Sequence, residues 1–297
     1  MTLTRINAFT TAAAHKFPFV YAVLRGLGQI MLQENAATGL LFLIGIFYGS
    51  IIAGCAAIVA AGCGTATAWF FRYDKTEIEK GLYGFSAALV GVALMVYFQP
   101  VVVVWLFLVI GSVLATVLQH FFIVKKIPVF TFPFVLITWM ILFLLPVVYP
   151  GVPMSASPSL TVMHNLTFAF RGFGEVIFQN TLSAAFIFFV GVFISSPAAA
   201  LYGLGGSILA GGVAAVLSAP VEDIMMGLFS YNAVLCAIVF VGEEFENMMW
   251  AFISVVLCVV IGFVMYQYQL TQLTFPFVAA SCVSLALQKK IVGLYKR

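Results

Sequence analysis

The stretch "RGLGQIMLQENAATGLLFLIGIFYGS" runs from Arg25 to Ser50, and "RGFGEVIFQNTLSAAFIFFVGVFISS" runs from Arg171 to Ser196. Displaced by 146 residues, Arg25 falls on Arg171, Gly26 on Gly172, Gly28 on Gly174, Gln33 on Gln179 and Gly45 on Gly191. The match continues beyond this stretch. "GLYGFSAALV" at 81–90 aligns with "GLFSYNAVLC" at 227–236 at the same offset, and "TFPF" at 131–134 recurs at 274–277, at an offset of 143. Apolar helices look alike by chance, but chance does not repeat an arginine and an identical TFPF in the same order. The chain reads as a duplication with halves at 1–150 and 151–297.

The surroundings of these blocks set the solvent. Of 297 residues, 64% are hydrophobic and 8% are charged, with a mean hydropathy of +1.16. A soluble domain carries about 25% charged residues, so this chain lacks the polar surface to face water. Its apolar runs are continuous rather than alternating, and a membrane helix needs about 20 such residues. The backbone in lipid must satisfy itself internally, and the absence of alternation selects helices over a barrel. The segment "MTLTRINAFTTAAAHKFPF" lacks the ordered charge, apolar core and cleavage site of a secretory signal. Cys55, Cys63, Cys236, Cys258 and Cys282 lie in apolar runs without metal-type spacing and read as small hydrophobes. His15, His120 and His164 are scattered. No metal or cofactor is expected, and nothing in the charge pattern points to nucleic acid.

Lys and Arg mark the cytoplasmic side. Basic clusters stand at Arg5/Lys16, Arg72/Lys75/Lys80, Lys125/Lys126 and Lys289/Lys290/Lys296/Arg297. With all four inside, the six apolar segments near 17–33, 35–50, 51–71, 80–98, 101–124 and 131–147 reduce to five spans, and one segment does not cross. The segment at 17–33 carries Arg25, Gln29 and Gln33 and is too polar to face lipid, so it reads as a re-entrant helix with 164–180 as its twin. An odd number of spans per half makes the halves inverted. The expected fold is therefore all-α and integral to the membrane. It has two inverted five-helix repeats, ten transmembrane helices and two re-entrant half-helices around a central pore. Both termini are cytoplasmic, and the uncharged stretch Pro150–Pro158 faces out.

Polar groups inside a membrane are functional candidates by default. Arg25 and Arg171 read as structural cations holding carbonyls at a helix end, since a fixed charge in a path would block cations and trap anions. Gln29 and Glu175 are the unequal repeat pair, one amide and one carboxyl at opposite mouths of a central path. Thr131 and Thr274 head the TFPF blocks, and an inverted twofold brings them to the middle. Pro133 and Pro276 are expected inside their helices, each freeing a carbonyl one turn back. Phe85 with Tyr231, Leu32 with Phe178, and Leu89 with Leu235 complete two aromatic and aliphatic slots. Thr138 reads as lipid-facing. Such slots suit a flat, neutral, polar solute that stacks on rings while its edge hydrogens meet carbonyl oxygens.

At this point the chain resembles the urea transporter family. "RGLGQ", "GLYGFSAALVG" and "TFPF" carry the resemblance, and "IPVFTFPF" at 127–134 matches the family signature LPxxTxPF apart from Ile127. The second copy, "QLTFPF", keeps the TxPF half, and the likeness spans roughly residues 17–285. The resemblance implies a homotrimer in the cell membrane, the inner membrane of a bacterium, with one pore per protomer and passive transport of urea. It implies an outer site of Glu175, Phe178, Tyr231 and Leu235, an inner site of Gln29, Leu32, Phe85 and Leu89, and Thr131 and Thr274 between them. Ladders of backbone carbonyls would accept the solute's N–H groups. Leu32 and Tyr231 depart from the family's phenylalanines.

Two other classes compete. A channel for ammonia, a short amide or water would share the architecture. An intramembrane enzyme would need a nucleophile with a base or a metal cluster, and the sequence holds no HExxH or GxSxG. The expectation is a transporter and not an enzyme.

Overall fold

A computed structural model describes residues 16–155 and 167–295. Arg5, His15, His164, Lys296, Arg297 and residues 156–158 of the Pro150–Pro158 stretch lie outside the described residues. The described chain forms fourteen helices and no strand, with one isolated bridge between Phe98 and Met154.

The first half holds α1 (Pro18–Gln29), α2 (Ala36–Gly49), α3 (Ile51–Phe70), α4 (Lys75–Glu79), α5 (Phe85–Tyr97), α6 (Val102–Val124) and α7 (Phe132–Val148). The second holds α8 (Phe168–Glu175), α9 (Leu182–Ser195), α10 (Pro197–Val216), α11 (Val221–Met226), α12 (Tyr231–Val239), α13 (Phe245–Gln267) and α14 (Phe275–Tyr295). Local chemistry sets the starts. Asn35 caps α2 by accepting from the Ala37 and Thr38 amides, and Ser50 caps α3 from Ala53. Their counterparts at the 146-residue offset, Thr181 and Ser196, cap α9 and α10 in the same way. Each cap supplies an acceptor to an amide that no turn of helix can reach.

Length sorts the helices. α3 and α10 have 20 residues each and α6 and α13 have 23, all strongly apolar. At 1.5 Å per residue these reach about 30 Å or more, the thickness of a hydrocarbon core. The chain is an all-helical membrane protein. α1, with 12 residues, spans only about 18 Å, and α8, with 8, about 12 Å. Neither is long enough to cross on its own.

Small residues bring the helices close. α3 presents Ala53, Ala56, Ala57, Ala60, Ala61 and Gly64 as a buried face toward α5. Gly91 of α5 sits so near that an added Cβ would lie 2.6 Å from the Ala60 methyl and 2.8 Å from the Ala56 carbonyl. In α10, Gly206 meets Ala237 and Ala233 of α12 in the same fashion. Lipid offers no hydrophobic drive between helices, so close van der Waals contact of small residues does the holding. α5 is the most enclosed element, with every residue from Phe85 to Met95 buried. Large side chains such as Phe70, Phe143 and Val102 point outward, where lipid receives them.

The two halves interlock through residues that match in the sequence repeat. Phe42 of α2 and Phe188 of α9 meet edge to face at 5.3 Å between ring centroids. Gly45 faces the Phe188 ring, and Gly191 faces the Phe42 ring. The Thr38 hydroxyl donates to the Gly191 carbonyl at 2.7 Å. The contact is reciprocal, and the two helices run antiparallel across it.

Two expectations change here. Pro133 and Pro276 are not interior prolines: α7 starts at Phe132 and α14 at Phe275, so both lie in a first turn. A first-turn amide has no helical partner to lose, which is why proline is tolerated there. The interior proline of α7 is Pro146. Thr138 is fully buried rather than lipid-facing, because α7 turns that side toward the core.

Candidate functional site

The site begins with backbone that bulky residues rarely adopt. Among the described residues, eight non-glycine positions have left-handed φ. They fall into four pairs at the repeat offsets: Leu32 with Phe178, Arg72 with Ser218, Lys126 with Gln269, and Phe130 with Leu273. A leucine or phenylalanine in this region is strained. Leu32 and Phe178 end α1 and α8, where the Gly28 and Gly174 carbonyls each accept two amides in a tight reversal. Gln33 and Gln179 fold back to bond the Met31 and Ile177 carbonyls at 2.9 and 3.2 Å. Phe130 and Leu273 immediately precede Thr131 and Thr274. Gly81 and Gly227 also have positive φ and touch the backbone at Arg25–Gly26 and Arg171–Gly172, which leaves no room for a side chain.

These turns border two cavities. The wide one, about 640 Å³, is lined by Glu175, Phe178, Tyr231 and Leu273, with Tyr97, Tyr266 and Gln272 among its walls. The narrow one, about 210 Å³, is lined by Gln29, Leu32, Phe85, Phe130 and Thr131, with Gln119 and Phe277. Glu175 and Gln29, Phe178 and Leu32, Tyr231 and Phe85, and Leu273 and Phe130 are repeat counterparts. The two cavities are thus the same construction made twice, with different side chains.

Between them the two threonines meet. Thr131 Oγ1 and Thr274 Oγ1 lie 2.6 Å apart in a hydrogen bond, at 3% and 2% exposure. Residues 143 apart in the chain share one buried bond. Leu89 and Leu235 are fully buried on the helices that carry Phe85 and Tyr231, and line neither cavity. Backbone carbonyls are plentiful nearby. Among the described residues, no hydrogen bond reaches the carbonyls of Ile30, Leu32 or Phe130 on the narrow side, or of Phe178 on the wide side.

A urea transporter profile matches residues 20–289 of the chain. The chain belongs to the urea transporter family. Urea transporter 1 of Ovis aries and that of Capra hircus are each 29% identical to it over 312 aligned positions, covering 94% of this chain and 79% of theirs. Urea transporter 1 of Mus musculus is 28% identical over 257 positions, covering 78% of this chain and 65% of its own.

Around the cavities of this urea transporter family member, the charged groups hold backbone. Arg25 Nη1 donates to the Glu79 carbonyl at 3.0 Å, and its guanidinium lies 4.8 Å from the Tyr21 ring. Arg171 Nη1 donates to the Asn180 carbonyl at 2.7 Å. Both behave as structural arginines. Gln29 Nε2 donates to the Lys80 carbonyl at 3.0 Å, which orients its amide at the wall of the narrow cavity.

Several participants were not legible in the sequence. Asn232 stands opposite Ser86 in the repeat, so no repeated identity marks it, yet its Nδ2 donates to the Leu273 carbonyl at 3.1 Å. Gln119 lines the narrow cavity and accepts from the Ser86 hydroxyl at 3.4 Å. His120 is not isolated either. Its ring stacks on Tyr73 at 3.5 Å, and its Nδ1 lies 2.9 Å from the Tyr83 hydroxyl, which also donates to Glu77. Burial and the neighbouring Glu77 carboxylate push the Tyr83 phenol far above its ordinary range, so it stays a donor. This cluster braces the turn that leads into Phe85.

Proposed function

We propose that this protein carries urea passively across the membrane through a path joining the two cavities, with the Thr131–Thr274 contact as its waist. The observation that carries the reading is the meeting of repeat-mate threonines between repeat-mate cavities, inside a chain of the urea transporter family. On this reading the halves 1–150 and 151–297 are inverted repeats. The antiparallel contact of the matched helices α2 and α9 supports that, since mates related by an axis along the membrane normal would run parallel. α2, α3, α5, α6 and α7 cross in the first half and α9, α10, α12, α13 and α14 in the second, making ten spans, with the short α5 and α12, of 13 and 9 residues, crossing only together with the turns that flank them. α1 and α8 enter and turn back. The wide cavity opens outward, the narrow one opens to the cytoplasm, both described chain ends face the cytoplasm, and three copies assemble in the inner or plasma membrane.

Glu175, Phe178 and Tyr231 form the outer site and Gln29, Leu32 and Phe85 the inner one, with the buried Leu235 and Leu89 one helical turn after Tyr231 and Phe85 and not on the cavity walls. The rings face the flat solute. Open carbonyls at the strained turns replace the water lost from its N–H groups, and the threonine hydroxyls open their mutual bond to pass it through the waist. Hydrated ions find no such replacement, and selection follows. The test is urea flux into proteoliposomes by stopped-flow light scattering, with ammonia, formamide and water measured alongside. Rapid urea flux that persists when sodium and proton gradients are collapsed is expected. Flux that disappears with either gradient, or water flux without urea flux, refutes the reading.

A further inference from the structure

The two cavities share a backbone but differ at one carbonyl. Phe130 and Leu273 have nearly the same φ, 48° and 45°, so the chain turns alike in both halves. At Leu273 the carbonyl accepts two hydrogen bonds, from the Tyr231 hydroxyl at 2.7 Å and from Asn232 Nδ2 at 3.1 Å. A carbonyl oxygen has two lone pairs, so this one is saturated. At Phe130 no hydrogen bond reaches the carbonyl among the described residues. The counterparts of the two donors are Phe85, which has no hydroxyl, and Ser86, whose hydroxyl turns to Gln119 instead. Asn232 is 4% exposed and its Oδ1 has no partner, so the amide is held there for what its Nδ2 does. A polar side chain left half-satisfied in a buried place is costly, and the cost marks the arrangement as specific.

We propose that Tyr231 and Asn232 form a pair that determines solute specificity by withholding the Leu273 carbonyl from the passing solute. In the wide cavity an N–H group then meets the phenolic oxygen of Tyr231, which accepts less strongly than a backbone carbonyl. In the narrow cavity it meets the open Phe130 carbonyl. Discrimination by the number of N–H groups is concentrated on the narrow side, and the wide side discriminates less. This inference rests on the channel reading above and names two residues that tune it.

The experiment compares urea, with four N–H groups, with 1,3-dimethylurea, with two, as a flux ratio in proteoliposomes. Tyr231→Phe keeps the ring and releases one lone pair of the Leu273 carbonyl. The ratio of urea to dimethylurea flux is expected to rise about fivefold, the worth of one added neutral hydrogen bond. The sign separates this from a steric role. Removing a hydroxyl merely to make room favours the bulkier dimethylurea and lowers the ratio. The reciprocal variant, Phe85→Tyr, brings a hydroxyl toward the Phe130 carbonyl and is expected to lower the ratio, although added bulk alone would raise it. If Tyr231→Phe does not assemble, the Phe85→Tyr result decides alone. An unchanged or lowered ratio in Tyr231→Phe, or a raised or unchanged one in Phe85→Tyr, overturns the pair's role while leaving urea conduction intact. Wild-type vesicles with no urea flux would instead overturn the channel reading itself.

Discussion

Replacing Thr131 and Thr274 by valine, singly and together, separates a packing role from a solvating one. Each hydroxyl is bonded to the other at 2.6 Å and nearly sealed from solvent. Thr131→Val therefore strands the Thr274 hydroxyl, and Thr274→Val strands that of Thr131. An unpaired buried hydroxyl costs about 1–3 kcal/mol, so each single variant should be less resistant to heat than wild type. The double variant removes both groups while keeping their shape and should recover most of that loss, because replacing both partners is nearly neutral. Transport is expected to behave the other way. If the hydroxyls offset dehydration of urea at the waist, the double variant loses both, the barrier rises by about 1–3 kcal/mol, and flux falls roughly tenfold or more. Thr138→Val supplies the control. Its hydroxyl is fully buried and without a partner, so its removal is expected to hold or raise stability and leave flux alone. Stopped-flow flux and thermal unfolding in detergent measure the two arms. Wild-type urea flux through a well-folded Thr131→Val/Thr274→Val double variant would show that the threonines only pack, and the waist would lie elsewhere.

Three further outcomes follow from the same geometry. Gly39→Ala should be severely destabilising, since its Cβ would fall 1.7 Å from the Leu24 carbonyl, whereas Gly62→Ala has open space and should gain about 0.5–1 kcal/mol in helix propensity; equal thermal stability of the two variants contradicts the packing described. Met154→Cys, at a residue 56% exposed within the Pro150–Pro158 stretch, should react with a membrane-impermeant maleimide added outside intact cells, above the background of the native cysteines, and labelling only after permeabilisation refutes the proposed orientation. Arg171→Ala loses the bond to the Asn180 carbonyl and should cost about 1.5–3 kcal/mol of stability with the urea to dimethylurea ratio unchanged; a stable variant with altered selectivity would place the arginine in the path instead.

Much of the architecture is legible without coordinates. A membrane helix declares itself by some twenty apolar residues. The caps at Asn35, Ser50, Thr181 and Ser196 bound α2, α3, α9 and α10 locally. Because the gene product repeats itself, residues that matter twice are written twice. Arg25 and Arg171, Gln29 and Glu175, and Thr131 and Thr274 all stand out on that ground, and the structure gathers most of the expected site residues around two cavities and one central bond.

What the repeat does not carry, tertiary structure decides. Proline reads as a kink in a sequence and becomes a first-turn residue once the helix start is known, as at Pro133 and Pro276. Thr138 looks outward-facing until neighbouring helices cover it. The left-handed turns at Leu32, Phe130, Phe178 and Leu273 break the propensity of bulky residues, so nothing local announces them. The role of Asn232 is invisible for the opposite reason: its counterpart is a serine, and symmetry was the only guide. Composition, span length and capping depend on residues near in sequence or on the solvent, and a sequence states them directly. Which lone pair a hydroxyl takes depends on a carbonyl some forty residues away along the chain, as Tyr231 and Leu273 show, and only the packed helices bring the two within reach.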